Sequence, residues 1–358
     1  MLVLAAHCAV QDSFEVPTTL VDDDYVMIGL REIEEARKTI KDEVNRTPLV
    51  RSRFLSDLCC GEVYLKLENL QITNSFKIRG ALNRMMNLTI DEMQRGVIAA
   101  STGNHAQAVA IGAEKCNLTA TVVVPEITPK VKVEKIRQHK VELILHGENY
   151  DAAEHYAREL AKRERLTFVS DYNDPFVVAG QGTVGLEILE DLPTVDSIIV
   201  PVGGGGLIAG ITIAAKSTKP NLEILGVQPE ATPAMHHSLK VDEIIDVEMR
   251  DTVADGLSGN IEKGSITFDI VRKYGVEVLL FNEEAIKKAI RLLWNKERQV
   301  AEGSGAISIA PIIESKERFA RKRTVAVVSG GNIDEAVFQD ILASGIGESS
   351  RSQGRRRD

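Results

Sequence analysis

Strand-like and helix-like segments alternate along most of this 358-residue chain, and the alternation limits the folds that it can adopt. The β-branched run 119–124 precedes a helical segment at 130–139, and the apolar run 197–202 precedes another at 207–217. Strands joined through helices run parallel, because the helix returns the chain to the same end of the sheet. The pattern predicts an α/β fold with mainly parallel sheets. It also predicts strands at 142–145, 223–227 and 324–328, a helix at 151–165 and an amphipathic helix at 33–44.

Composition and charge exclude several classes of protein. The chain has 52 acidic and 43 basic residues, a net charge of −9 and no basic stripe, so nucleic acid is not an expected partner. No apolar run reaches the roughly 18 residues that span a bilayer, so no membrane segment is expected. The cysteines lack C-x-x-C and zinc-finger spacing, which predicts reduced thiols, no metal site and a cytoplasmic protein; they are Cys8, Cys59, Cys60 and Cys116.

Lys77 lies in the segment 75–80, Ser-Phe-Lys-Ile-Arg-Gly, between an aromatic residue and a predicted helix start. Most lysines are solvated surface charges. The positive end of a helix dipole, however, favours loss of the ammonium proton. A neutral amine is what Schiff-base chemistry with an aldehyde requires. Lys77 is therefore a candidate catalytic amine.

Four consecutive glycines, Gly203, Gly204, Gly205 and Gly206, follow an apolar strand and precede Leu207 and a helix. Glycine amides are closely approachable because no Cβ stands in the way. At a helix N-terminus such amides form a cup for a phosphate dianion. A tight turn between strand and helix needs only one or two glycines, so we predict an anion site. The segment is neither a P-loop nor a G-x-G-x-x-G dinucleotide fingerprint.

Two polar turns also follow predicted strands. Ser101, Thr102, Asn104 and His105 surround a glycine at one strand end, and they offer donors for a carboxylate or a phenolate. Ser101 and Thr102 also fit the simpler role of helix caps. Ser329 stands at the end of another strand, which is where α/β proteins place ligands.

A reactive lysine, a phosphate cup, a polar loop and a serine at a strand end are the set that pyridoxal 5'-phosphate needs. With these motifs in this order, the chain resembles the fold-type II pyridoxal-phosphate enzymes, which are tryptophan synthase β-like. Within them it is similar to the branch of serine/threonine dehydratases (threonine ammonia-lyases) and serine racemases, over residues 28–345. The resemblance implies two open, mainly parallel-sheet domains with the cofactor in the cleft between them.

No linker marks the boundaries between domains. We predict a large cofactor-binding domain from 28–89 and 174–345, with a small domain at 90–173. An N-terminal arm at 1–27 and a disordered tail at 346–358 flank them. The segment 180–183, Gly-Gln-Gly-Thr, also fits the family, and we interpret it as a structural turn before a helix.

The resemblance implies a role for each motif. Lys77 binds the cofactor aldehyde as a Schiff base and, once free, takes the Cα proton of the substrate. Ser101, Asn104 and His105 surround the substrate carboxylate. The remaining cofactor contacts are Phe76 beside the ring, Asn104 at the 3-oxygen, Gly203 to Gly206 with the Leu207 amide at the phosphate, and Ser329 at the pyridine nitrogen.

The implied reaction is dehydration and deamination of L-threonine or L-serine to a 2-oxo acid and ammonia. Because Ser329 is a neutral partner for the ring nitrogen, it favours elimination over transamination. The resemblance also implies a homodimer or homotetramer with an amino acid as its small-molecule substrate.

Other activities stay open at this stage. Thr102 stands where serine racemases have a second catalytic serine, so Thr102 is a candidate catalytic residue and racemisation is an alternative. The threonine at position 102 also leaves open hydroxyaspartate or phenylserine as the substrate of a dehydratase. The cation site of those racemases uses a carboxylate near a position that is Gln228 here, which agrees with the prediction of no metal, although the nearby Glu230 could supply that carboxylate instead. A non-catalytic vitamin B6-binding protein is a third alternative, against which the set of Lys77, Asn104 and Ser329 argues.

Overall fold

The computed structural model describes residues 28–344, so the predicted arm at 1–27 and the predicted tail at 346–358 lie outside the described residues. The helices within the described range are, in chain order, α1 (Leu30–Ile40), α2 (Arg53–Cys59), α3 (Lys77–Met86), α4 (Ile90–Arg95), α5 (Asn104–Cys116), α6 (Lys130–Arg137), α7 (Tyr150–Glu164), α8 (Pro175–Asp191), α9 (Gly206–Thr218), α10 (Ala234–Val241), α11 (Ile266–Lys273), α12 (Glu283–Leu292), α13 (Gly303–Ala306), α14 (Ala310–Glu314) and α15 (Glu335–Ser344).

The strands form two sheets. In chain order they are β1 (Leu49–Ser52), β2 (Glu62–Leu67), β3 (Val97–Ala100), β4 (Ala120–Val124), β5 (Glu142–Leu145), β6 (Thr167–Phe168), β7 (Ser197–Pro201), β8 (Glu223–Pro229), β9 (Glu277–Phe281) and β10 (Arg323–Val328). The six-stranded sheet has the order β1-β2-β10-β7-β8-β9, and the four-stranded sheet has the order β5-β4-β3-β6. Only the pairing of β1 with β2 is antiparallel among these strands, so the prediction of mainly parallel sheets is confirmed.

The central strands of both sheets are buried along almost their whole length. Every residue of β4 and of β7 is buried. Strands buried on both faces lose the alternation of apolar and polar residues and are rich in valine and isoleucine. The five strands predicted from such runs are confirmed to within about two residues at each end. The strands β1, β2, β6 and β9 were not predicted.

Helix α1 is amphipathic, as predicted, but it ends at Ile40 and not at residue 44. Its buried residues Ile33, Ala36 and Ile40 follow the spacing of one helix face. Beyond Ile40 the chain forms a turn.

The interpretation of residues 180–183 as a turn is wrong, because they lie in the middle of α8. A Cβ at Gly180 would lie 2.6 Å from the carbonyl oxygen of Arg79, and one at Gly182 would lie 3.0 Å from that of Gly210. The two glycines therefore allow α3 and α9 to pack directly against the backbone of α8. Glycine lowers intrinsic helix stability, but here close packing compensates for it.

The four-stranded sheet lies within residues 90–173, and the six-stranded sheet is formed by strands before and after that segment. The exact boundaries of the domains stay a prediction. Of the helices in residues 28–344, none is long and apolar enough to span a bilayer.

Candidate active site

A cavity of about 950 Å³ lies between the two sheets. One wall is formed by the turns that follow β7 and β10, and the other by the first residues of α5 and α7 together with α6. Ligands of open α/β sheets bind at the carboxyl ends of the strands in this way. All the site residues predicted from the sequence line this cavity: Phe76, Lys77, Ser101, Thr102, Asn104, His105, Gly203, Gly204, Gly205, Gly206, Leu207 and Ser329.

Lys77 is the first residue of α3, in agreement with the predicted helix start. The segment before it is fixed to the end of β10, because the Phe76 amide donates to the carbonyl of Ser329 at 3.1 Å and Ser75 forms a β-bridge with Gly330. Nζ of Lys77 lies 5.5 Å from the centre of the Phe76 ring. These contacts place the lysine and Ser329, which are distant in sequence, in the same region of the cavity.

Asp171 lies beside Lys77 and is not among the residues predicted from the sequence. The Lys77 ammonium donates to the Asp171 carboxylate at 2.9 Å and to the Asp171 carbonyl at 3.0 Å. Burial raises the pKa of Asp171, but the charge of Lys77, the nearby ring of His105 and the hydrogen bonds to the carboxylate together outweigh burial and leave that pKa below its usual value. The available signal was a polar run, residues 170–174, which begins one residue after β6.

The four glycines form the turn between β7 and α9. Gly205 has φ of +95°, a left-handed conformation that glycine adopts without strain. A Cβ at Gly204 would lie 2.6 Å from Cε1 of Tyr172, and one at Gly206 would lie 3.0 Å from Cα of Tyr172. The close packing of Tyr172 therefore requires glycine at positions 204 and 206, whether or not the turn binds a ligand. Helix α9 begins at Gly206 without a side-chain cap, so its first amides remain available to an anion.

Helix α5 also begins at the cavity. Gly103 precedes the helix and provides no side-chain cap, so the first N–H groups of α5 have no partner within the helix. The hydroxyl of Ser101 accepts from the Gly103 amide at 3.3 Å, and the half-buried Thr102 lines the cavity beside it. Free amides at the positive end of a helix favour a carboxylate.

The side chain of Asn104 is held at both ends. Its Nδ2 donates to Oε1 of Glu302 at 2.6 Å, and its Oδ1 accepts from Nδ2 of Asn332 at 2.7 Å. Asn332 in turn donates to the carbonyl of Thr73 at 2.8 Å. These bonds fix the orientation of the amide and leave one Nδ2 hydrogen of Asn104 for a ligand.

Glu302, the partner of Asn104, is a buried carboxylate that the sequence analysis missed. It is 7% exposed and lines the cavity. Burial, together with the negative charge of Asp255, raises its pKa to about 7. The surrounding residues 301–305 are small and apolar apart from Ser304, so neither periodicity nor a known motif marked the carboxylate.

His105 is buried with its ring turned to the protein. Nε2 lies 2.8 Å from the carbonyl of Val169, and since a carbonyl only accepts, Nε2 carries the proton. Burial lowers the pKa of His105 to about 4, so the ring is neutral near pH 7. The ring therefore has no second proton for a substrate carboxylate. The group of His105 that is suited to an anion is its backbone N–H in the first turn of α5.

Ser329 follows β10 and is 3% exposed. Its hydroxyl donates to the carbonyl of Ser304 at 3.3 Å. The hydroxyl of Ser304 is buried and lines the cavity without a hydrogen-bond partner among residues 28–344. A buried donor without a partner is costly, and a ligand with an acceptor at this place would remove the cost.

Residues 28–344 contain no cluster of three or more His, Cys, Asp or Glu side chains that could hold a metal ion. The buried side chain of Gln228 accepts from the His236 amide at 2.9 Å. The oxygen at this position is therefore used within the protein.

Comparisons with known proteins identify the family of this chain. The family model of pyridoxal-phosphate dependent enzymes matches residues 40–330. The chain belongs to this family. An L-threonine ammonia-lyase of Thermotoga maritima is 45% identical over 325 residues, which are 91% of this chain and 80% of that protein. The catabolic L-threonine dehydratase TdcB of Staphylococcus aureus is 41% identical over 332 residues, 92% of this chain and 96% of that protein. The structure of maize serine racemase superimposes on this one with a TM-score of 0.83 and 30% sequence identity. The match covers 90% of this chain and 99% of the maize chain.

The enzyme therefore uses pyridoxal 5'-phosphate, as the sequence predicted. The predicted fold-type II architecture and the predicted branch of dehydratases and racemases are also confirmed. The roles of the individual site residues are tested by none of these comparisons and stay predictions.

Proposed function

We propose that this enzyme converts a β-hydroxy amino acid, L-threonine or L-serine, to a 2-oxo acid and ammonia. The observation that carries the proposal is that one amine, on Lys77, shares a cavity with two uncapped helix starts, those of α5 and α9. Each helix start binds an anion, so the pair accommodates the phosphate of a cofactor and the carboxylate of an amino acid. The names of the relatives from Thermotoga and Staphylococcus support the same reaction.

The residues of the cavity fit pyridoxal 5'-phosphate. When bound, the cofactor supplies an aldehyde that bonds amines and an electron-withdrawing ring that acidifies the Cα proton of an amino acid. Lys77 is the amine for the aldehyde, and the turn from Gly203 to Leu207 binds the phosphate. The hydroxyls of Ser329 and Ser304 are suited to the ring nitrogen, because Ser304 needs a partner.

In the proposed reaction α5 binds the substrate carboxylate and Lys77 accepts the Cα proton. The amino acid places its carboxylate at the free amides of α5, beside Ser101 and the backbone N–H of His105. Asn104 would donate its remaining Nδ2 hydrogen to the 3-oxygen of the cofactor. The amine of Lys77 would accept the Cα proton and return it to the β-hydroxyl, which would leave as water. Loss of water converts the amino acid to an enamine, which tautomerises to an imine. Hydrolysis of the resulting imine releases ammonia.

A substrate panel tests the proposal. Purified enzyme loaded with cofactor is incubated with L-threonine, L-serine, their D-enantiomers, hydroxyaspartate and phenylserine, and 2-oxo acid and ammonia are measured together. We expect both products in equal amounts from L-threonine or L-serine, and none from a Lys77→Ala variant. Cofactor binding without 2-oxo acid from any of these amino acids contradicts the proposal, and if no amino acid is inverted either, it favours a binding protein.

Racemisation is the second candidate, because the hydroxyl of Thr102 lines the same cavity and a serine racemase shares the fold. Chiral analysis of the amino acid that remains in the same panel distinguishes the two. Inversion at Cα without 2-oxo acid would assign the racemase activity. In that case a Thr102→Val variant, which keeps the shape of the side chain, should lose inversion.

We also propose that the enzyme is a cytoplasmic homodimer or homotetramer. The cytoplasmic location is supported by the cysteines, because Cys59, Cys60 and Cys116 are all unpaired within residues 28–344. The oligomeric state is supported by the family resemblance described above. Light scattering of the loaded enzyme and fractionation of cells test the two parts separately. A monomer at micromolar concentration contradicts the first, and recovery outside the cytoplasm contradicts the second.

A further inference from the structure

Asp171 gives Lys77 two acceptors from a single residue. The carboxylate Oδ2 and the main-chain carbonyl lie 2.9 Å and 3.0 Å from Nζ. Two acceptors of fixed direction define the position of an ammonium far better than one, because each limits the rotation that the other allows. The pair lies at the cavity wall, where the side chain of Lys77 is 14% exposed and that of Asp171 is 31% exposed.

The loop that carries Asp171 is fixed on both sides. The Val169 amide donates to the carbonyl of Ile98 at 2.8 Å, which extends the pairing of β6 with β3 toward Asp171. On the other side, the Tyr172 hydroxyl accepts from the Glu262 amide at 2.9 Å. The Tyr172 ring also packs on the glycine turn before α9. The carboxylate is therefore held by the same elements that form the cavity.

We propose that Asp171 is the positioning residue of Lys77. Whenever the lysine amine is free, Asp171 holds the nitrogen at one place in the cavity. When the amine takes the Cα proton, a new N–H bond forms, the electron pair of the C–H bond stays with the substrate, and the ionised Asp171 stabilises the resulting ammonium. This inference rests on the proposed function, and it adds to that function a residue that acts through Lys77.

Several other titratable groups face this pair, and they bear on any dependence on pH. They come from four elements, and one of them, the ring of His105, is neutral because burial lowers its pKa to about 4. Desolvation raises the pKa of the Tyr172 and Tyr150 hydroxyls. The groups are His105 on α5, Tyr150 and Glu154 on α7, Tyr172 in the loop, and Glu302 before α13.

The first test is spectroscopic and needs no turnover. The visible absorption of the bound cofactor reports protonation of its bond to Lys77, and an adjacent carboxylate favours the protonated form. In Asp171→Asn we expect the pH midpoint of this absorption change to fall by about one unit or more. Asp151→Asn is the matched control, because Asp151 is an exposed carboxylate on the same cavity and its midpoint should stay at the wild-type value.

The second test follows the proton. In deuterated water, the loaded enzyme exchanges the Cα hydrogen of the amino acid, and this rate measures transfer to Lys77. Loss of a charge-assisted hydrogen bond should lower kcat and the exchange rate about 10-fold to 100-fold in Asp171→Asn, with KM little changed. Asp171→Glu keeps the negative charge but shifts its position. We therefore expect this variant to keep the wild-type pH midpoint of the cofactor absorption but to exchange the Cα hydrogen more slowly.

The outcomes separate this inference from the proposed function. Wild-type midpoint and wild-type exchange in Asp171→Asn overturn the inference, even when the enzyme eliminates water normally. If Asp171→Asn does not fold, Asp171→Glu decides, since exchange at the wild-type rate shows that the position of the carboxylate is irrelevant. If the wild-type enzyme acts on no amino acid, the proposed function fails, but the absorption titration still tests Asp171.

Discussion

Two carboxylates of the same cavity have opposite environments. Asp171 faces an ammonium, which lowers its pKa, whereas Glu302 faces the neutral amide of Asn104 and the charge of Asp255, and burial raises its pKa to about 7. Environments that separate two carboxyl groups in this way allow one to stay ionised and the other to carry a proton near pH 7.

For Glu302 this difference predicts a dependence of stability on pH. Since the folded-state pKa is raised from 4.5 to about 7, the native protein holds a proton that the unfolded chain releases in this interval. The free energy of unfolding should therefore fall as the pH rises from about 4.5 to about 7, by about 3 kcal/mol from this group. Glu302→Gln should lack that fall. Urea unfolding of both proteins across this range tests it, and a difference that does not change with pH contradicts the prediction.

At the level of elements, buried charges connect β2, α3 and α8. Arg79 donates to Glu68 at 2.8 Å and to Glu187 at 2.7 Å, and Lys66 also donates to Glu187 at 2.6 Å. Lys66, Glu68 and Arg79 are completely inaccessible to solvent. Because Arg79 is two residues after Lys77, this network also sets where α3 begins relative to the cavity.

Removal of Arg79 leaves two buried carboxylates without their main partner. We expect Arg79→Leu to lower the free energy of unfolding by about 3–5 kcal/mol, the cost of breaking a buried ion pair by removing one member. Denaturant unfolding measures the loss. Arg31→Leu is the control, because the pair of Arg31 with Glu35 on α1 is exposed, and the variant should unfold like the wild type. Equal stability of the two variants would refute a role for the network.

The turn before α9 is the second case at this scale, since Tyr172 packs against Gly204. Gly204→Ala should cost about 1–3 kcal/mol of stability through overpacking and should weaken cofactor binding. Tyr172→Ala removes the clashing ring, so the double variant should be more stable than the sum of the two single effects predicts. Thermal unfolding of the four proteins gives the coupling. Strictly additive effects mean that Tyr172 does not restrict the turn.

At the scale of the whole molecule, one ion pair crosses the mouth of the cavity. Lys132 on α6 belongs to the side of the four-stranded sheet, and Asp255 belongs to the turn 255–257 on the other side; their charged atoms are 2.9 Å apart. Both side chains are exposed, so the pair contributes little to stability. Its position is what matters, because both residues line the cavity and the pair joins its two walls.

We expect Asp255→Asn to raise KM for the amino acid about 2-fold to 5-fold without a change in thermal stability. In the wild type KM should also rise with salt concentration, because the Debye screening length falls to about 3 Å at about 1 M salt and the ion pair is weakened. The KM of the variant should not depend on salt in this way. Steady-state kinetics at low and high salt measure both. Glu134→Gln on α6 is the control, because Glu134 pairs with Arg137 away from the cavity. Parallel salt dependence in wild type and Asp255→Asn is the contradictory result.

The sequence by itself determined the α/β architecture, the cofactor and the turns that line the cavity. It did so because buried parallel strands, glycine turns and a lysine at a helix start each depend on residues adjacent in the chain. It misplaced residues 180–183, whose glycines serve the packing of α8 against α3 and α9. Only the tertiary structure brought Asp171 to Lys77 and Glu302 to Asn104, because each pair joins segments distant in the chain. Burial and facing charges, which set the pKa of both carboxylates, exist only after those segments have packed together.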